Sequence, residues 1–94
     1  MGSSDSDIEK IGAALTSGRL SINRLDDGSG VVLDVEREQL VSMNRTGLMI
    51  IQAIADGARG EAAIAAWLSQ QFSIDLSRAR HDLTAFTQRL ATAL

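Results

Sequence analysis

The sequence contains no cysteine, no proline and only one histidine among 94 residues. Without cysteine there is no disulfide framework, no thiol nucleophile and no cysteine-based zinc site. The lone His81 leaves no histidine cluster for a metal. With no proline, no helix or strand is broken from within by one. Missing too is any run of roughly 18 apolar residues, the length a membrane helix needs. The opening Met1-Gly2-Ser3-Ser4-Asp5-Ser6-Asp7 is polar and acidic, whereas a secretory signal starts basic and continues into an apolar block. These absences are compatible with a cytoplasmic protein, the expected location, and no metal, cofactor or membrane partner is expected.

What is present fits one small domain. Hydrophobic residues make up 45% of the chain, enough for a core without disulfides. The net charge of −3 is unevenly spread. Residues 1–38 hold eight acids and four bases, and residues 39–94 hold four acids and five bases. An acidic total disfavours a protein that grips phosphate backbones, so no nucleic-acid partner is expected.

Along the chain the hydrophobic period changes twice. Residues 1–19 read as an N-terminal extension, disordered over 1–7. A short helix then carries Ile8, Ile11, Ala14 and Leu15, with Asp7 as N-cap and Gly18 as stop. Such a helix is marginal alone and forms only if it docks. From Leu20 the period is two. Leu20, Ile22 and, less cleanly, Val31, Leu33 and Val35 alternate with polar residues around the turn Asp26-Asp27-Gly28-Ser29-Gly30. Strands are expected over 20–25 and 31–35, with a third, Gln39–Met43, after the charged turn Glu36-Arg37-Glu38. The period then lengthens into three helices near 45–56, 61–72 and 76–92. Asn44 caps the first, which is apolar almost all round and ends at Asp56-Gly57. Ile64, Trp67, Leu68 and Phe72 stripe the second, with Trp67 as a core anchor. Asp75 is placed to cap the third, whose stripe is Leu76, Ala79, Leu83, Phe86, Leu90 and Leu94. The fold class is α+β, winged-helix-like, with a three-stranded antiparallel sheet followed by three helices over 20–94.

Nothing in this pattern resembles an active site. His81 and Asp82 are neighbours on a helix and diverge by about 100°, so they cannot form a catalytic pair. His81 lies off the apolar stripe and reads as solvated. Asp82 follows Arg78 by four residues, the spacing of an exposed ion pair. Asp26 and Asp27 read as turn residues. Gly28-Ser29-Gly30 precedes a strand rather than a helix N-terminus, which is the wrong order for a phosphate loop.

Two features do point to binding. With strand order following the chain, Gln39-Leu40-Val41-Ser42-Met43 is an edge strand that carries neither charge nor proline. Such an edge offers unpaired N–H and C=O groups to another extended chain. On the last helix, Arg80, Thr84, Thr87 and Ala91 form one flank of the apolar stripe, and Arg78, Asp82, Ala85 and Arg89 form the other. The first flank is short-chained apart from Arg80 and is expected to floor a groove beside the edge. The candidate peptide-binding residues are therefore Gln39, Leu40, Val41, Ser42 and Met43 with Arg80, Leu83, Thr84, Thr87 and Ala91.

The ordered set Met43-Asn44, Thr46-Gly47, Asp56-Gly57, Ala63-Ile64, Leu68, Phe72, Asp82, Phe86 and Leu90 resembles the PqqD family, over roughly Leu20 to Leu94. These are small proteins of pyrroloquinoline quinone (PQQ) biosynthesis and their relatives in systems that modify ribosomally made peptides. The resemblance implies a winged-helix-like fold and no catalysis. It implies that the leader segment of a precursor peptide binds as an added strand, between the third strand and the third helix. The peptide is then presented to a modifying enzyme, often a radical SAM protein. A monomer or weak dimer is expected. The chain departs from the family's pattern in three places. Gly60-Glu61 stands where a Ser or Thr cap is common, the Gly-aliphatic tail of many members is missing after Leu94, and residues 1–19 match nothing in the pattern. Two other readings compete. A winged-helix DNA-binding regulator fits poorly with the acidic hairpin tip Asp26-Asp27. A small adaptor or oligomerisation domain would use the same edge on itself.

Overall fold

The computed structural model describes residues 3–94. In chain order it contains α1 (Ser3–Thr16), β1 (Leu20–Arg24), β2 (Gly30–Asp34), β3 (Gln39–Met43), α2 (Arg45–Ala55), α3 (Glu61–Phe72) and α4 (Leu76–Ala93). The architecture is α+β: a three-stranded antiparallel sheet in the order β1-β2-β3, three helices after it, and a fourth helix before it.

The extra helix begins earlier than the sequence pattern predicts. Residues 3–7, expected to be disordered, are helical, so Asp7 lies inside α1 rather than capping it. Met1 and Gly2 lie outside the described residues. Docking supplies what propensity does not. Ile8 and Ile11 are fully buried, each worth about 1.5–3 kcal/mol against exposure. Packing is mainly against α4, with further contact to α2, α3 and β1. The helix stops as expected at Gly18, which takes φ +83° while Gly18 N bonds the Leu15 carbonyl and Arg19 N the Ala14 carbonyl.

This docking also resolves the missing cap of α3. Gly60 has no side chain to offer, and Asp5 of α1 accepts the Glu61 N–H at 2.9 Å in its place. Asn44 caps α2 as expected, accepting from Gly47 N at 2.9 Å. Asp75 occupies the N-cap position of α4 but makes no side-chain cap bond there.

One strand faces the opposite way from the expected alternation. Register pairs Leu20 with Asp34 and Ile22 with Val32, and directly opposite residues share a face. Val32 and Asp34 therefore point inward, while Val31, Leu33 and Val35 lie on the outer face. Val31-Val32-Leu33 is apolar on both faces, so its own period could not choose between them.

Asp34 is thus a buried carboxylate. Arg19 holds it with two bonds of 3.1 Å, and its Oδ1 also accepts from the N–H groups of Glu36 and Arg37. The same guanidinium donates to the Leu94 carbonyl at 2.9 Å, tying the sheet to the end of α4. Helix α4 contributes Ala79, Leu83, Phe86 and Leu90 to the core, against Ile50, Ile51 and Ile54 of α2 and Leu68 of α3. Trp67, expected as an anchor of this core, is only half-buried and lines a shallow surface pocket with Ala53, Asp56 and Ala63.

Candidate functional site: an open edge and a groove

The orientation of the edge strand follows from two hydrogen bonds at the other side of the sheet. Val35 N donates to the Arg19 carbonyl, and Leu25 N donates to the Ser29 carbonyl. The odd-numbered residues of β2 therefore turn their backbone groups toward β1, and Gly30, Val32 and Asp34 turn theirs toward β3. Their partners are Met43, Val41 and Gln39. By alternation, the N–H and C=O groups of Leu40 and Ser42 face away from the sheet. Leu40, 66% exposed, adds no cover to this edge.

Beside the edge lies an open groove of about 640 Å³ between β3, the start of α2 and one flank of α4. Its buried lining is apolar: Met43, Gly47, Ile50 and Phe86. Gly47 is needed at this place. A Cβ there would lie 2.9 Å from Cε1 of Phe86 and 3.3 Å from Cβ of Met43, so only glycine lets α2 approach the ring this closely. The Asn44 cap fixes the first turn of α2 and so sets Gly47 against Phe86.

The α4 wall of the groove consists of Arg78, His81, Asp82, Ala85 and Arg89. Arg78 and Asp82 pair at 3.7 Å, as their spacing predicts. Arg89 reaches across, and its Nη2 donates to the Ser42 carbonyl at 2.8 Å. That bond fits the assignment of Ser42 as outward-facing.

Of the expected binding residues, Ser42 and Met43 line the groove, and Gln39, Leu40 and Val41 continue along the same edge. The α4 residues fall elsewhere. Leu83, Thr87 and Ala91 are buried, Thr84 is half-buried, and Arg80 is exposed; none of them lines the groove. Lys10 of α1 donates to the Ala91 carbonyl at 3.0 Å, which puts the Ala91 end of this flank against α1. The Thr87 hydroxyl bonds the Leu83 carbonyl one turn earlier. The flank that does line the groove carries Asp82, Ala85 and Arg89. Its signal in the sequence was charge at helical spacing, which solvent exposure explains equally well.

The hairpin tip is a turn, as expected: Asp27 Oδ1 accepts from Ser29 N at 2.9 Å and from its hydroxyl. These bonds hold the Asp27 carboxyl below the ordinary range. Among the described residues, no three His, Asp or Glu side chains converge as a metal site, and no helix is long and apolar enough to cross a membrane.

No curated protein and no solved structure matches this chain. The family model described as "Coenzyme PQQ synthesis protein D (PqqD)" matches residues 29–93, from the hairpin turn to the end of α4, and the chain belongs to that family.

Proposed function

We propose that the protein is a non-catalytic peptide chaperone. It binds the leader segment of a ribosomally made precursor peptide as an antiparallel strand on β3 and presents it to a modifying enzyme, such as a radical SAM protein, in PQQ-type or related peptide modification. The observation that carries this reading is the pair of outward-facing backbone groups at Leu40 and Ser42, set beside a groove with an apolar lining. Main-chain bonds to the edge supply affinity, and pockets for alternate side chains supply specificity. In antiparallel pairing, peptide residues opposite Val41 and Met43 point their side chains to the groove side, and those opposite Leu40 and Ser42 point to the outer face. Family membership supports the peptide partner and the non-enzymatic role.

NMR titration with leader peptides from candidate precursors tests the reading. Shifts should concentrate at residues 39–43 and on the groove flank of α4. Ser42→Pro removes an outward N–H without breaking the ladder to β2, and edge strands tolerate such a proline. It should leave the domain folded and weaken the peptide by about fivefold or more, the worth of one lost main-chain bond. Val41→Pro would instead remove a bond within the sheet. Shifts that avoid both β3 and α4 would overturn the assignment.

A further inference from the structure

Arg89 sits where an added strand must go. Its Nη2 occupies the Ser42 carbonyl, one of the two outward acceptors of β3. Among the described residues it has no carboxylate partner, because the acid on the same wall, Asp82, is engaged by Arg78. The groove is locally cationic, with Arg78 and Arg89 against one acid, although the chain as a whole carries −3.

Strand addition brings a peptide N–H to the Ser42 carbonyl and a peptide backbone across the path of the Arg89 side chain. The displaced guanidinium then lies against the groove-facing side chains of the new strand, partly shielded from water. A cation shielded without a partner is costly, whereas a carboxylate there gains a charge-assisted hydrogen bond. Resting on the strand-addition reading, we propose that Arg89 is both a latch and a selector. In the free protein it caps one outward carbonyl of the edge, that of Ser42, and leaves the outward N–H groups open. In the complex it pairs with an Asp or Glu at a groove-facing position of the bound peptide, opposite Val41 or Met43. The preferred ligand is an extended segment with one acid among apolar residues on that face.

A random dodecapeptide display library, panned on the whole protein, tests this without knowledge of the natural ligand. Edge binders are the selected peptides that lose affinity for the Ser42→Pro protein. They should be enriched in Asp or Glu at one position, and the enrichment should vanish when the library is panned on Arg89→Gln. For one such peptide, Glu→Gln should cost about threefold or more on the wild type and little on Arg89→Gln, the coupling a double-mutant cycle reads. Edge binders lacking an acid should bind Arg89→Gln at least as well as wild type, because the latch is gone. Edge binders without acid preference, or with a preference that survives Arg89→Gln, would overturn the selector role and leave edge docking standing. If no selected peptide responds to Ser42→Pro, edge docking itself fails and the role of Arg89 falls with it.

Discussion

The two flanks of α4 have opposite fates. On one, Arg80 is exposed and Thr84 half-buried, but Thr87 and Ala91 are buried, and Lys10 of α1 reaches the Ala91 carbonyl. The other carries Asp82, Ala85 and Arg89 and faces the open groove next to β3. Small side chains on the first flank look like the floor of a binding groove. In the structure they mark the place where another helix packs closely. Longer, charged side chains on the second flank look like an ordinary solvated surface. They form the wall of the groove.

Several substitutions break or sharpen this contrast. Phe86 serves both sides of it, since its ring is in the core and also lines the groove against Gly47. Phe86→Ala should cost about 3–5 kcal/mol in chemical denaturation, a large part of the stability of a small domain. A folded variant with unchanged midpoint would mean that α4 packs on another face.

Ile11→Ala bears on the closed flank alone. The fully buried side chain should cost about 2–5 kcal/mol if α1 is part of the core. A change within about 0.5 kcal/mol, typical of surface sites, would make α1 an appendage and the flank beneath it available.

Asp34 sharpens the contrast by pH. Its bonds to Arg19, then those to the Arg37 and Glu36 N–H groups, outweigh burial and hold its carboxyl below the ordinary range. A folded-state value below the unfolded one gives stability that is complete at neutral pH and is lost as pH falls through the folded value. Asp34→Asn should therefore be less stable than wild type at neutral pH, with the gap shrinking as pH drops below about 4. A gap that stayed constant into acid would contradict the ion pair.

Arg78→Ala should do least. The pair with Asp82 is exposed, and such pairs contribute about 0.3–0.5 kcal/mol, screened by salt. A loss above 1 kcal/mol would show that Arg78 supports the groove wall structurally.

Much of the fold was legible because its signals are local. The Asn44 cap, the Gly18 and Gly57 stops and the Asp27 turn each depend on residues a few positions apart. Edge placement of β3 followed from chain order alone. What the sequence hid depends on distant partners. The stretch 3–7 is polar and becomes helical because Ile8 and Ile11 dock and Asp5 caps α3 from 56 residues away. The inner face of β2 was decided by pairing with Leu20 and Ile22, not by its own pattern. Asp34 gave a signal only in hindsight, as a polar residue two positions along β2 from buried Val32 and on the same face. Which flank of α4 stays open was set by α1, whose docking the local pattern could not place.

Amide hydrogen exchange along β3 tests the open edge most directly. In the free protein, Leu40 and Ser42 should exchange nearly as fast as unstructured amides, while Gln39, Val41 and Met43 are protected by their bonds to β2. Saturation with a leader peptide should slow Leu40 and Ser42 specifically. Equal protection of all five amides in the free protein, or no slowing of Leu40 and Ser42 on binding, would contradict an open edge that a peptide completes.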